Sequence, residues 1–332
     1  MKRVMNAPDA FVAEGLAGFV RAHAGLVMFG ADGKFIRRRD LASAKVALIA
    51  GGGAGHEPLH AGFIGRGMLD AACTGHVFTS PTPDQIVAAM DATDTGAGCL
   101  LVVKNYDGDV MNFEMAAEMA AARHAVEMVV VEDDAATGPA VRSRGRRGVA
   151  GTVIVEKILG AAAEEGASLP ALKALGEDLN TRIRSMGVAL RGVTVPNNAR
   201  ETFSLGPDEM EIGVGIHGEP GLERIGFVAA DEMIRLLGER VLAELPAHLV
   251  ASSLRPLLLV NGFGGTPPIE LYLAQGIAHR FFEARGIAPA RSLTGTFVTS
   301  LDMAGFSITL ALLDEAQFAL WGAPVATACF SW

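Results

Sequence analysis

Residues 46–58 read VALIAGGGAGHEP, an apolar run that leads directly into a glycine-rich loop with a histidine. Two more apolar runs have this form: CLLVV at 99–103 precedes KNYDGD, and EMVVV at 127–131 precedes EDD. Short runs rich in Val and Leu, each followed by turn residues, predict buried strands. Helical patterns lie between and after these runs, beginning at Pro83, Met111 and Thr152. This alternation predicts a parallel sheet flanked by helices, with ligands bound at the carboxyl ends of its strands.

The pattern changes after about residue 185, where strand-like runs follow one another without an intervening helix. These runs cover 187–195, 211–216, 256–260, 296–300 and 307–313, and helical patterns cover 224–245 and 269–283. Strands joined without helices indicate a mixed sheet. The sequence therefore predicts an α/β protein of two domains: a parallel α/β/α sheet domain over 1–185 and a mixed-sheet α/β domain over 186–332.

Composition narrows the function classes. Half of the 332 residues are hydrophobic and 6% are aromatic, which is enough apolar material for a core and excludes a disordered chain. The net charge of −9 argues against a nucleic-acid partner, because phosphate binding needs a basic surface. The one basic cluster is predicted to be solvated and consists of Arg142, Arg144, Arg146 and Arg147.

Localisation is constrained in the same way. No apolar run approaches the ~20 residues that a membrane span requires, and the N-terminus lacks the apolar centre of a signal peptide. Cys73, Cys99 and Cys329 are odd in number and widely spaced, which excludes a disulfide framework and a CxxC metal site. We therefore expect a cytoplasmic protein with no membrane or nucleic-acid partner.

Two histidines stand out from the eight. His56 in GHEP and His217 in HGEP each lie in a glycine-bounded turn just after a predicted strand. Glycine lets the backbone approach a ligand closely, and a neutral imidazole is both a base and a nucleophile. The alternative is a turn histidine bonded to nearby backbone. His60 is close to His56 in the sequence and is a candidate to support the function of His56. The remaining histidines fit ordinary helix or turn positions: His23, His76, His124, His248 and His279.

Polar residues after the second strand are further candidates. Asp109 is either a carboxylate directed into the cleft at the strand ends or a cap of the following helix. Lys104 is either a substrate contact or a strand-end lysine that reaches solvent. The acids of Glu132–Asp134 are better explained by a solvated loop than by a metal site, and no metal is predicted.

Phosphate-binding signatures fail in context. The stretch 213–218 matches GxGxxG, but Glu219 and Pro220 follow it, and no strand ending in an acid comes ~20 residues later. An NAD-linked dehydrogenase is therefore disfavoured. No P-loop occurs in the chain.

Seven ordered motifs resemble the substrate-binding K subunit of the dihydroxyacetone kinase family. They are GGGAGHEP (51–58), GMLDAACTGHVFTSPTPDQI (67–86), VVKNYDGDVMNFEMA (102–116), GRRGVAGTV (145–153), MEIGVGIHGEPG (210–221), VNGFGGTP (260–267) and TSLDMAGFSITL (299–310). Together they span about residues 46–320, nearly the whole chain.

The resemblance implies a phosphotransferase with an alcohol acceptor. His217 would attack the carbonyl of a short ketose and form a covalent hemiaminal, and His56 and Asp109 would act as acid and base on the hydroxyl that is phosphorylated. The implied contacts to substrate are Gly53, Ala54, Gly55, His56, Lys104 and Asp109.

The resemblance also implies partners. This chain would bind no cofactor tightly, and a separate L subunit would carry the nucleotide, either ADP rephosphorylated by a phosphotransferase-system protein or exchangeable ATP with Mg²⁺. A homodimer is expected. Ala54 stands where serine is common in the family, and Glu156 where histidine is frequent, so a four-carbon ketose such as erythrulose stays open as the substrate. A sugar sensor that reports to a transcriptional regulator is the alternative function.

Overall fold

The computed structural model describes residues 2–138, 145–196, 201–251 and 253–332. The chain forms two compact units, and each of them is discontinuous in sequence. The first unit consists of Met1–Val131, Ile154–Asp178 and Ala319–Trp332, and the second of Glu132–Val153 and Leu179–Phe318.

The chain passes from one unit to the other at several places, whereas the sequence predicted a single boundary at residue 185. The segment after Val131 joins the second unit because its backbone pairs with Ser185: Ser185 N donates to Asp133 O at 2.7 Å, and Ala135 N donates to Ser185 O at 2.8 Å. The last residues return to the first unit, where Ala326–Thr327 pairs antiparallel with Gly65–Arg66.

The strands, in chain order, are β1 (Val27–Phe29), β2 (Ile36–Arg38), β3 (Ala47–Ala54), β4 (Gly65–Arg66), β5 (Ala71–Val77), β6 (Cys99–Lys104), β7 (Val126–Val131), β8 (Ile183–Arg191), β9 (Glu209–Ile212), β10 (Glu223–Gly226), β11 (Arg255–Gly262), β12 (Arg291–Gly295), β13 (Ala304–Leu313) and β14 (Ala326–Thr327). The helices are α1 (Phe11–Ala22), α2 (Pro83–Thr93), α3 (Asp107–Ala120), α4 (Thr152–Glu164), α5 (Leu169–Arg182), α6 (Ala230–Glu244), α7 (Ala247–Val250), α8 (Pro268–Glu283) and α9 (Glu315–Gly322). Short 3₁₀ turns occur at Pro8–Ala10, Ala31–Gly33 and Ala61–Phe63.

The sheet of the first unit has the order β1-β2-β5-β3-β6-β7. Four neighbouring strands, β5, β3, β6 and β7, are parallel to one another. Strands β2 and β1 extend the sheet beyond β5, and both of their pairings are antiparallel. Because β3 and β6 are covered on both faces, their side chains are buried throughout. Phe113 of α3 and Met90 of α2 are fully buried against them, and each such side chain contributes about 1.5–3 kcal/mol to folding.

The sheet of the second unit has the order β10-β9-β8-β13-β11-β12 and is mixed, with only β11 and β12 parallel. Helices α6 and α8 cover it through a core that includes Leu237, Val260 and Phe282. The predicted α/β class with a parallel and a mixed sheet is therefore confirmed. Among the described residues, no helix is long and apolar enough to cross a bilayer.

Two predicted elements are wrong. The helix predicted over 224–245 begins only at Ala230, because Glu223–Gly226 forms a strand on β9 in which Arg224 lies opposite Glu211 and bonds its carboxylate at 3.0 Å. The strand predicted at 296–300 lies instead at Arg291–Gly295, where it pairs with β11.

Candidate active site

Strand β3 continues through the glycines that follow its apolar run and ends at Ala54. Its glycines are required by close packing. A Cβ on Gly53 would lie 2.5 Å from Thr79 N, and one on Gly52 would lie 2.4 Å from Lys104 Nζ. The atoms that Gly53 would meet are backbone, so only a residue without a side chain lets the loop after β5 pack against this strand end, whereas at Gly52 the lysine side chain would have to move.

His56 lies just past that strand end and is almost completely buried. Its ring stacks on the ring of Phe78 with centroids 5.2 Å apart and an interplanar angle of 26°. Within the turn, the backbone N–H of Gly55 donates a hydrogen bond to the side-chain Oε2 of Glu57 at 2.9 Å. The imidazole thus packs against an aromatic ring at the end of β3.

Lys104 and Asp109 come from the neighbouring strand β6 and the start of α3. Lys104 is fully buried and does not reach solvent, which excludes that alternative. Its Nζ lies 3.4 Å from Gly51 O and 3.7 Å from Asp109 Oδ2. Helix α3 begins at Asp107, four residues before the predicted start, so Asp109 lies in the first turn and is not the N-cap. The helix N-terminus favours a carboxylate there.

Beneath these residues lies a buried polar chain. Lys104 Nζ is 2.9 Å from His60 Nε2, and His60 Nδ1 is 2.5 Å from Glu156 Oε1. Burial, then the charges of Lys104 and His56, lower the pKa of His60 well below its usual value. Burial raises the pKa of Glu156 well above its usual value, against the opposing effect of Lys104.

The second unit holds the other predicted histidine. His217 follows β9 in a turn and is half-buried. Its backbone N–H donates to Glu219 Oε2 at 2.8 Å, and Glu219 Oε1 accepts from Arg147 Nη1 at 2.9 Å. The histidine turn is therefore fixed to a buried arginine.

Arg147 corrects the prediction of a solvated basic cluster. It is buried and also donates from Nε to Asp134 Oδ2 at 2.6 Å and from Nη2 to Gly213 O at 2.8 Å. Arg146 bonds Glu244 at 2.5 Å, and Arg142 and Arg144 lie outside the described residues.

Two of the three acids after β7 are also not solvated, whereas Glu132 is partly exposed. Asp133 and Asp134 are buried. Asp133 accepts from Val149 N and Gly151 N, each at 2.7 Å. These carboxylates fix the loops around Arg147, so the solvated loop predicted for them is wrong.

The structure brings Gly53, Ala54, Gly55 and His56 together at the end of β3, and Lys104 and Asp109 at the end of β6. His217 lies in the second unit. The GxGxxG match leads from β9 into the turn before β10 and not into a helix, so it lacks the helix N-terminus that a dinucleotide needs.

One cluster could offer metal ligands. The ligand atoms of Asp94, Cys99 and His124 lie within 4.8 Å of one another. However, both ring nitrogens of His124 already contact carboxylates, those of Asp94 at 2.8 Å and Asp91 at 2.7 Å. Burial also raises the pKa of the Cys99 thiol to about 12, which disfavours the thiolate that a metal binds. The arrangement fits a hydrogen-bonded histidine better than a metal centre.

The motifs and the site can now be compared with known proteins. Residues 17–329 match the Dak1 domain. The chain belongs to the Dak1 domain family. It is 47% identical over 319 residues to the dihydroxyacetone-binding subunit of PTS-dependent dihydroxyacetone kinase 1 from Listeria innocua, covering 96% of each chain. The resemblance to the dihydroxyacetone kinase family is therefore confirmed.

Solved structures of Dak1-like chains agree. A dihydroxyacetone kinase operon co-activator superposes with a TM-score of 0.89 at 32% identity, covering 96% of this chain and 97% of that one. The dihydroxyacetone kinase of C. freundii, solved in complex with AMP-PNP and Mg²⁺, superposes with a TM-score of 0.87 at 34% identity, covering 99% of this chain and 61% of that one.

Three residues of this Dak1 chain were not predicted as parts of the site. Arg147, Glu219 and Glu156 lie in or next to the motifs, but their sequence context gives no sign that they are buried or paired. The glycines and histidines of the neighbouring motifs indicated a site nearby, but they did not indicate these three residues. Their roles follow from partners brought together by the fold.

Proposed function

We propose that this chain is the ketose-binding subunit of a dihydroxyacetone-type kinase. In this proposal His217 binds a short ketose covalently, His56 and Asp109 act as acid and base on its terminal hydroxyl, and the backbone of Gly53–Gly55 together with Lys104 holds the sugar. The enzyme is then a phosphotransferase with an alcohol acceptor.

The covalent step is chemically balanced. One ring nitrogen of neutral His217 attacks the carbonyl carbon, the π electrons move to the oxygen, and that oxygen gains a proton while the other ring nitrogen loses one. No water leaves, so the protein gains the full mass of one ketose. A carbonyl requirement rejects glycerol-like polyols, which shape alone would reject poorly, since one methylene is worth only ~1–3 kcal/mol. The bond also fixes the hydroxyl for transfer.

Phosphoryl transfer needs a donor, and the proposal places it on a separate nucleotide-binding L subunit, as ADP served by a phosphotransferase-system protein or as ATP with Mg²⁺. The relative from Listeria innocua is named as PTS-dependent, which favours the first donor. His56 would accept the hydroxyl proton as the loose transition state develops. We propose that the chain acts as a homodimer in the cytoplasm.

One observation carries the proposal most directly. A chain 47% identical to a named dihydroxyacetone-binding subunit has a buried lysine and carboxylate, Lys104 and Asp109, 3.7 Å apart at the strand ends where ligands bind. His56 stacks on Phe78 at the same strand end.

Native mass spectrometry with a panel of three- and four-carbon ketoses tests this proposal. We expect the wild-type protein to gain the mass of one dihydroxyacetone or erythrulose, and His217→Ala to gain none. His279→Ala, a change at an exposed helix histidine, serves as the control and should keep the adduct. Normal adduct formation by His217→Ala would show that the nucleophile is another residue.

A sugar sensor is the second candidate, because the co-activator superposes at a TM-score of 0.89. Both candidates predict the adduct. They differ in turnover: the kinase phosphorylates the ketose once an L subunit and its phosphoryl donor are supplied, whereas the sensor binds the sugar without turnover. Sensing would need only the adduct, so the presence of His56 and Asp109 as an acid–base pair favours the kinase.

A further inference from the structure

The loop that follows β5 brings an aromatic ring against His56. The side chain of Phe78 stacks on the imidazole with centroids 5.2 Å apart and an interplanar angle of 26°. The backbone N–H of Phe78 donates to Ala54 O at 2.9 Å, which joins the loop to the last residue of β3. The aromatic ring and the histidine therefore meet at the same strand end.

Phe78 has a backbone conformation that a bulky side chain rarely adopts. Its φ is +54°, in the left-handed region. It occupies the third position of a tight turn in which Thr79 N donates to His76 O at 2.9 Å. Turns with a positive φ at this position favour glycine or asparagine, because a Cβ is strained there. The turn alone would thus be formed more easily by glycine than by phenylalanine.

Two further features of the strand ends accommodate this turn. The pairing of β3 with β5 shifts register after Gly53, so that His76 is an extra residue on β5. Such a bulge redirects the chain and is common beside active sites. The two glycines at the shift leave room for the redirected loop. A Cβ on Gly53 would lie 2.7 Å from Phe78 Cα, and a Cβ on Gly75 would lie 2.1 Å from the carbonyl oxygen of Thr79.

We propose that Phe78 is a positioning residue for His56. The strained turn directs its ring onto the imidazole, and the stack sets the orientation in which His56 accepts the proton of the ketose hydroxyl. Strain of this kind persists only where the surrounding structure over-determines it, and it clusters at active sites. This inference rests on the proposed kinase function.

The proton-transfer step itself is unchanged by this assignment. The O–H bond of the ketose breaks as an N–H bond forms on His56, and the oxygen takes the phosphoryl group in exchange. The stack limits rotation of the imidazole, so that its nitrogen faces the hydroxyl more of the time. The negative face of the aromatic ring also favours the imidazolium that forms. Both effects act on the rate of transfer and not on capture of the carbonyl by His217.

NMR of protein labelled with ¹³C in histidine and phenylalanine tests the stack without any partner subunit. Nuclear Overhauser contacts should join the ring protons of Phe78 to those of His56, which are assigned by their absence in His56→Asn. In Phe78→Leu, ¹³C relaxation at the His56 ring should show a larger amplitude of motion, because the flat contact is lost.

Phe281→Leu is the matched control for this measurement. It makes the same change at a half-buried ring of α8, in the second unit. The His56 ring of this variant should move as little as that of the wild type. Absence of the contacts between the two rings in the wild type, or an equally rigid His56 ring in Phe78→Leu, would overturn the proposal.

Two substitutions at one position test the strain. Phe78→Ala and Phe78→Gly both remove the ring, but only glycine adopts the left-handed backbone without penalty. Phe78→Gly should therefore unfold at a higher urea concentration than Phe78→Ala, the reverse of the order at a position with negative φ. Ala44→Gly is the control, at a φ of +55° in an exposed turn, and should raise the urea midpoint without changing turnover. A lower midpoint for Phe78→Gly than for Phe78→Ala would contradict the strained turn.

Turnover separates positioning from a merely structural role. With an L subunit supplied, Phe78→Leu should lower kcat about ten- to a hundredfold and change KM for the ketose less than about twofold. Native mass spectrometry should still find the full adduct on this variant, and Phe78→Tyr, which keeps the ring face, should restore most of kcat. An unchanged kcat in Phe78→Leu, or an equal loss of adduct and turnover, would refute the inference.

The proposed function fails in a different way. A wild-type protein that forms the adduct but never phosphorylates the ketose would refute the kinase function. The NMR and urea results would still decide whether a strained Phe78 fixes the His56 ring.

Discussion

The two histidine turns have nearly the same sequence but different neighbours. In the first turn, Gly55–Pro58, His56 is buried against Phe78 and the turn glutamate bonds the backbone N–H before the histidine. In the second turn, His217–Pro220, the glutamate bonds the N–H of His217 itself and is paired with Arg147. An aromatic ring thus stacks on His56, and an ion pair with Arg147 supports the turn of His217.

This difference matches the proposed roles. A residue that exchanges protons needs a constant environment, which close packing supplies. A nucleophile must meet a substrate carbon at a defined angle, which a charge-assisted hydrogen bond to its backbone can fix while the residue stays half-buried. Four substitutions or titrations test this contrast.

The largest effect should come from His56→Ala in the first turn. Loss of a positioned acid–base group should lower turnover of the ketose by about 10²–10⁴-fold, while native mass spectrometry still finds the adduct on His217. The control is His76→Ala, an exposed histidine on β5, which should retain activity. Loss of the adduct in His56→Ala would contradict the separation of roles between the two turns.

The network behind the second turn is tested by Arg147→Met. This change leaves Asp134 and Glu219 without their shared cation, and breaking a buried pair costs about 3–5 kcal/mol. Urea titrations of the two proteins measure the free energy of unfolding. Arg146→Met is the matched control, because its partly exposed pair with Glu244 should contribute no more than about 1 kcal/mol. Equal losses in the two variants would argue against a special role for Arg147.

The packing behind the first turn is tested by Gly53→Ala. The new methyl group would lie 2.5 Å from Thr79 N and 2.7 Å from Phe78 Cα, so we expect a loss of about 1–3 kcal/mol in unfolding free energy. The control is Gly18→Ala in α1, where no atom lies within 4 Å and alanine should stabilise the helix by about 0.5–1 kcal/mol. A neutral Gly53→Ala would mean that the loop at 78–79 yields easily.

The smallest effect involves a histidine outside both turns and calibrates what an ordinary histidine–carboxylate contact contributes. Burial lowers the pKa of His124, but hydrogen bonds to Asp91 and Asp94 outweigh it and raise this pKa above 6.5. The contribution should therefore be complete below pH 6.5 and disappear as the pH rises through the raised value. Asp91 is half exposed, so we expect about 1 kcal/mol or less. Thermal melts of the wild type and His124→Gln should differ at pH 6 and converge at high pH; a constant difference would disprove the linkage.

Local sequence patterns predicted much of the fold. The runs at 46–50, 99–103 and 127–131 all form strands of the first sheet, because four to six buried apolar residues followed by turn residues favour a parallel strand. The predicted helix at 224–245 was wrong at its start because Glu223–Gly226 pairs with β9. The pairing depends on a second segment across a turn, and the four residues 223–226 are too few to show an alternating pattern of their own.

The site divides in the same way. His56, Lys104, Asp109 and His217 could be selected from the sequence because they follow apolar runs and lie beside glycines. The burial of Arg147 could not, because a charged residue is buried only where partners exist, and its partner Glu219 is 72 residues away in the chain. In the sequence, Glu156 is a single acid in an apolar helix. Its contact with His60 is visible only in the folded structure.

Capture of a ketose carbonyl by His217 is the central claim, and its most direct test is ¹³C NMR of [2-¹³C]dihydroxyacetone bound to the ¹⁵N-histidine-labelled protein. The account predicts that the carbonyl carbon becomes tetrahedral and shows one-bond coupling to a histidine ¹⁵N, and that this coupling is lost in His217→Ala. A bound sugar whose C2 remains a ketone, or becomes a hydrate with no ¹⁵N coupling, would contradict it.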